Sequence, residues 1–220
     1  MMFILAILIF SSGITYKILL PIVAVMIPVV LGLFWYIQQP YQKLLSPYQL
    51  ERVIGFLNPE EHSLDIMYQQ LMSVDAIASG KVTGKVFSGT GGRNYRSVDV
   101  NESDFIFSVI GEEFGFVGSF LIIALLAAVV IMCVVTAVRA CDYLGQMIGM
   151  GIAAMLMFQL FANIGVATMI LPNTGLPLPF LSYGLTSMVS CMIGIGFVVN
   201  VGLQSGSKRQ DGFSMIESDS

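Results

Sequence analysis

Charge is what this chain has least of. Only 11% of its 220 residues are Asp, Glu, Lys or Arg against 56% hydrophobic, and the mean hydropathy is +0.83. That balance lies far from soluble averages and excludes an ordinary soluble domain. There is no basic stripe either. The net charge of -4, with acidic residues scattered or gathered in the last ten positions, argues against nucleic acid as a partner. The three cysteines, Cys133, Cys141 and Cys191, lack the paired spacing of a disulfide framework or metal knuckle and read as small apolar fillers. The first apolar run, residues 1–10, is too short to span a membrane and lacks the basic flank of a signal peptide. It reads as a truncated helix ending at Ser11-Ser12-Gly13, with a signal sequence as the alternative.

What the chain does have is long apolar runs. A membrane-crossing helix needs about 20 apolar residues, and residues 14–36, 115–138, 144–171 and 186–201 qualify. The expected fold class is all-α: a polytopic helical membrane protein with four full spans, a truncated first helix and a large extracytoplasmic loop. Residues 1–36 form the truncated helix and first full span, and 37–113 the outer loop. Residues 114–203 hold three spans with a Pro-rich outer loop at 171–184, and 204–220 form a polar cytoplasmic tail with too little apolar content to fold alone. Arg139, between the second and third spans, and Lys208 and Arg209, after the last, set the cytoplasmic side. Lys17 can snorkel to the same side.

The outer loop has internal organisation. Pro40, Tyr41, Tyr48 and Arg52 suit the membrane interface. Ile66, Leu71, Val74, Ile77 and Ala78 recur at spacings that predict a helix over residues 64–79 lying on or partly in the bilayer surface. Residues 79–96 follow with five glycines and the cations Lys81, Lys85, Arg93 and Arg96. Glycines let backbone N–H groups converge on an anion that the cations neutralise, so the segment could approach a diphosphate. A mobile loop with merely solvated charges has the same composition. Glu60, Glu61, His62 and Asp65 could in principle bind a divalent cation such as Mg or Mn, but they lack a fixed helical or hairpin ligand spacing and read as a solvated acidic turn.

Asp104 stands at the mouth of an apolar helix, where a carboxylate is expensive and usually functional. The pattern predicts a helix with Asn101 as N-cap and Asp104, Ser108 and Glu112 in a polar stripe facing a cavity. Capping alone would explain Asp104 without chemistry. On one helix Asp104 and Glu112 would lie about 12 Å apart, too far for an acid/base pair. Asp104 would then act alone as a base, with Ser108, Glu112 and Glu113 placing the helix by hydrogen bonds or binding a cation. Pro172, Pro177 and Pro179 interrupt helix and predict a compact outer or re-entrant loop. Gln159 and Asn163 read as polar packing between helices, and Gly149, Gly151, Gly194 and Gly196 as close-packing sites.

The run D-F-I-F-S-V-I-G-E-E-F-G-F-V-G from Asp104, N-I-G from Asn163 and L-P-N-T-G-L-P-L-P-F-L-S-Y-G from Leu171 together resemble the SEDS family of RodA, FtsW and SpoVE. Y-Q-L-E-R-V-I-G-F-L-N-P-E from Tyr48 resembles it too, and the likeness covers the family's carboxyl-terminal half, with five or so helices expected before Met1. The resemblance implies a ten-helix membrane protein that polymerises lipid II, an undecaprenyl-diphosphate-linked sugar, into peptidoglycan beside a class B penicillin-binding protein. It implies that Asp104 is the catalytic base and that Arg52 and Lys85 match recurrent polar positions around it. With Lys81, Arg93 and Arg96, these are the candidate substrate-binding residues. Membrane lipids are the remaining expected partners, and the bacterial cytoplasmic membrane the expected location. The chain departs from the family pattern at Asp99, where proline is usual, and at Lys81, where glycine is common. A lipid II transporter and an inactive remnant that only binds a transpeptidase are the alternative functions.

Overall fold

A computed structural model of the chain describes residue 28, residues 68–87 and residues 104–218, with side chains as far as 206. The truncated helix, all of the first expected span but Pro28, and the candidates Arg52, Glu60, Glu61, His62, Asp65, Arg93, Arg96 and Asn101 lie outside the described residues. Among the described residues from 68 onward, five helices follow in order: α1 (Tyr68–Gly80), α2 (Gly84–Phe87), α3 (Ile106–Val138), α4 (Tyr143–Ala167) and α5 (Leu185–Ser218). There is no strand among the described residues. Among the described residues three helices, Ile106–Val138, Tyr143–Ala167 and Leu185–Gly206, are long and apolar enough to cross a membrane. Helix is what such sequences must form, because lipid offers no partner for an open backbone N–H or C=O.

The three long helices pack through small residues. A Cβ placed on Gly149 would lie 2.7 Å from Ala137 Cβ, so α4 and α3 meet almost backbone to backbone. Gly194 of α5 similarly faces Ile152. Between them Val130, Cys133, Ala153, Leu156, Cys191 and Val198 form a buried cluster. Gly196 departs from the expected pattern: it is exposed, and a Cβ there would meet nothing within 4 Å. Cys141 departs too, being exposed at the α3–α4 turn, whereas Cys133 and Cys191 are buried as fillers. Phe116, Phe120, Leu125 and Met132 point outward from α3, the inversion expected of a surface facing lipid.

α3 joins what were expected as a helix from Asn101 and a span from Gly115. It starts at Ile106, so the boundary drawn at residue 113 falls within one element. Gly115 nevertheless breaks it, with φ 65 and ψ -163 inside an otherwise helical run. α4 stops at Ala167, short of the predicted 171, in a left-handed cap at Met169 (φ 57) with Ile170 N donating to Gly165 O at 2.8 Å. α5 runs past residue 201 to Ser218, so the tail expected to lack structure continues the last helix.

α1 presents a different face from the one its apolar spacing predicts. Gln70, Ser73, Ala76 and Gly80 are buried, while Leu71 is exposed and Val74 and Ile77 are half-buried. The polar face turns inward because it closes the end of α4. Gln70 Nε2 donates to Val166 O at 3.1 Å and to Leu171 O at 2.9 Å, and Ser73 Oγ donates to Ala167 O at 2.8 Å. The last carbonyls of a helix have no intrahelical partner, and α1 supplies them.

Candidate functional site

Asp104 is a half-buried turn residue just before α3, not a member of the helix. Phe105 takes the N-cap position, makes no side-chain capping bond and is 1% exposed, so its packing rather than a cap anchors the start of α3. The expected stripe of Asp104, Ser108 and Glu112 therefore does not exist as one helical row. Ser108 and Glu112 are buried and face α1 and α2, not a cavity: Ser108 is bonded to Ser73 and Glu112 to Lys85.

Two segments distant in sequence hold Asp104. Asn163 of α4, 1% exposed, spends both amide hydrogens on carbonyls, donating to Asp104 O and to Leu176 O at 2.8 Å each. Its Oδ1 is buried without a hydrogen-bond partner among the described residues. A buried unpaired acceptor costs about 1–3 kcal/mol, so this asparagine sits here for its two donors. On the other side Gly175 of the Pro-rich loop comes so near that a Cβ there would lie 3.6 Å from Asp104 Oδ2.

The Pro-rich loop is wedged into the bundle. Leu178 and Pro179 are buried, and Phe180 packs against two core clusters at a left-handed φ of 65, rare for a bulky residue. Ser182 steadies the turn: Leu178 N donates to Ser182 Oγ at 2.6 Å, and Ser182 N donates to Leu178 O at 3.1 Å. Asn163 thus ties α4 to both Asp104 and this loop. Gln159, one turn away, accepts only a weak contact from Cys191 Sγ at 3.9 Å.

As far as Phe87, the Gly/basic segment plugs the break in α3. Where Gly115 breaks α3, Phe116 N and Val117 N donate to Lys81 O and Val82 O at 3.0 and 3.2 Å. Gly84 (φ 77) sits so close that a Cβ would lie 2.2 Å from Glu113 O. These glycines serve close backbone contact. Lys81 itself has φ 50, a conformation easiest for glycine, which accounts for the glycine common there in the family it resembles. Its side chain is exposed, as is Glu113. Lys85 is paired with Glu112 and so pins α2 to α3.

Among the described residues no three His, Cys, Asp or Glu side chains converge on a point fit for a metal ion. A cleft of about 260 Å³, lined by Val135, Thr136, Arg139, Gly202, Ser205 and Gly206, opens at the far end of α3. Val135 and Thr136 lie at the opposite end of that 33-residue helix from Asp104, so the cleft is remote from it. Gln70, Ser73 and the double role of Asn163 escaped the sequence reading. The spacing of Gln70, Ser73 and Ala76 at successive threes was the available signal for a shared face.

Three apolar helices among the described residues, with polar groups turned inward and a carboxylate beside a wedged loop at one end, mark an integral membrane protein. Residues 1–206 match the family model for FtsW, RodA and SpoVE, described as cell cycle protein, and the chain belongs to that family, the SEDS proteins. It is 40% identical over 161 residues to a probable peptidoglycan glycosyltransferase FtsW of Synechocystis sp., covering 73% of this chain and 41% of that protein. It is 34% identical over 158 residues to stage V sporulation protein E of Bacillus subtilis (72% and 43%). It is 31% identical over 192 residues to the peptidoglycan glycosyltransferase MrdB of Escherichia coli K12 (87% and 50%). A solved chain from a peptidoglycan synthase complex, described for its coordination of polymerization and crosslinking, superposes with a TM-score of 0.70 at 29% identity, covering 93% of this chain and 54% of that one. The chain spans about half the length of the curated relatives it matches.

Proposed function

We propose that this protein takes part in polymerising peptidoglycan glycan strands from lipid II in the bacterial cytoplasmic membrane, with Asp104 as the general base. The observation that carries the reading is the setting of Asp104: half-buried at the start of a spanning helix, with its carbonyl held by Asn163 and its carboxylate on the side of the Pro-rich loop at Gly175. The names of the relatives, two of them peptidoglycan glycosyltransferases, support it.

In this mechanism Asp104 takes the proton from an acceptor sugar hydroxyl as that oxygen bonds to the anomeric carbon of the donor sugar. The bond from that carbon to the diphosphate breaks, and the lipid-linked diphosphate leaves with the electron pair. Cations must stabilise it. Lys81 is exposed and available, and Arg52, Arg93 and Arg96 are the further candidates. Lys85 is assigned instead to holding α2, because it is already paired with Glu112. The outward apolar faces of the spans contact membrane lipid. A class B penicillin-binding protein is the proposed partner, supported by the likeness to a chain from a complex that both polymerises and crosslinks.

Asp104→Asn should lower lipid II polymerisation by roughly 10²–10⁴-fold, the usual contribution of a positioned base, with expression unchanged. Normal glycan synthesis by that variant would remove Asp104 from catalysis.

A further inference from the structure

We infer that Asn163 is the positioning residue for Asp104, setting where the base stands relative to the Pro-rich loop. The inference rests on the proposed role of Asp104 and adds to it the part of the protein that aims the base. Its ground is that one side-chain amide bonds the two segments flanking the carboxylate. One hydrogen goes to Asp104 O and the other to Leu176 O, at 2.8 Å each. Leu176 adjoins Gly175, where an added Cβ would stand 3.6 Å from Asp104 Oδ2.

Asn163 is well suited to the task. It is 1% exposed, so water does not compete for its donors, and it stands between Ala162 (2% exposed) and Val166 (3%) on the buried side of α4. Asp104 lies outside α3, and Asn163 reaches its carbonyl from α4. α4 is itself held by α1 through Gln70 and Ser73 just beyond Asn163. The amide thus belongs to a rigid part of the bundle and passes that rigidity to the turn. Both bonds come from nitrogen, so shape alone cannot replace it: leucine fills a similar volume but donates nothing.

The test compares Asn163→Leu, Asn163→Gln and Asp104→Asn in membranes from cells producing the protein, with lipid II as substrate. Misplacement of a reacting group by about 1 Å can cost 10²-fold in rate. Asn163→Leu should therefore lower kcat by about that factor with KM within about twofold, while Asn163→Gln, which keeps the donors, restores part of the rate. An Asn163→Leu enzyme with unchanged kcat, beside an inactive Asp104→Asn enzyme, overturns the positioning role alone. Activity retained by Asp104→Asn overturns the catalytic reading instead.

A second measurement needs no activity. With Cys141→Ser as background, Asp104→Cys and Thr174→Cys, which spares the left-handed Gly175, should be joined by a bis-methanethiosulfonate reagent. Adding Asn163→Leu should reduce the yield several-fold if the amide holds the two segments together, and an unchanged yield overturns the inference even where the protein shows no polymerase activity.

Discussion

Gly84 and Gly115 meet backbone to backbone: a Cβ on Gly115 would lie 2.4 Å from Gly84 N. Both residues have positive φ, 77 and 65. The contact seats the α2 hairpin in the break of α3, where Lys81 O and Val82 O accept the N–H groups of Phe116 and Val117 in place of the lost helical turn. In a bilayer such groups cannot be left open.

Gly115→Ala should therefore destabilise the protein by more than a simple packing defect. The left-handed backbone at ψ -163 is nearly restricted to glycine and costs about 1–3 kcal/mol otherwise, and the clash with Gly84 adds to it. Thermal unfolding in detergent should show a lowered midpoint and reduced yield. Gly196→Ala is the control, since a Cβ there meets nothing within 4 Å. Equal effects of the two changes would rule out the plug.

Lys85→Ala and Glu112→Gln should each cost stability of roughly 1.5–3 kcal/mol, the range for hydrogen bonds to charged groups, because Glu112 is 8% exposed and loses its cation. The two losses should not add, as expected of partners in one contact. If Lys85 served the substrate instead, Lys85→Ala would raise KM and leave the unfolding midpoint where it was.

Ser73→Ala should be worse than Ser108→Ala. Ser73 has one hydrogen and gives it to Ala167 O, so Ser108 must donate in the bond between the two hydroxyls. Removing Ser73 orphans a buried donor and a helix-terminal carbonyl together, whereas removing Ser108 leaves only a hydroxyl lone pair open. At about 1–3 kcal/mol for each buried group left unpaired, the difference should be visible as distinct unfolding midpoints. Identical midpoints would contradict this direction of donation.

The helical bundle was legible because its signal is local. Long apolar runs marked α3, α4 and α5 to within a few residues at most ends, and prolines marked the loop before α5. The helix at Asp104 and the span from Gly115 were read as separate elements because Glu112 and Glu113 interrupt the apolar run, but Glu112 is paired with Lys85 and α3 runs through. The buried face of α1 was misjudged because apolar spacing marks the core side only where water is the alternative. At a helix end with open carbonyls, Gln70 and Ser73 belong inside.

By itself the sequence determined an all-helical membrane protein, its apolar spans, its family, and Asp104 as the residue to watch. Each of these rests on composition or on residues adjacent in the chain. The tertiary structure alone decided that Asn163 holds Asp104 across 59 positions and Gln70 caps α4 across 96, that Lys85 answers Glu112, and that the glycines at 84 and 115 serve a plug. Hydropathy registers which residues avoid water. It carries no record of which buried donor meets which acceptor, and in a membrane those pairings determine where the polar groups can stand.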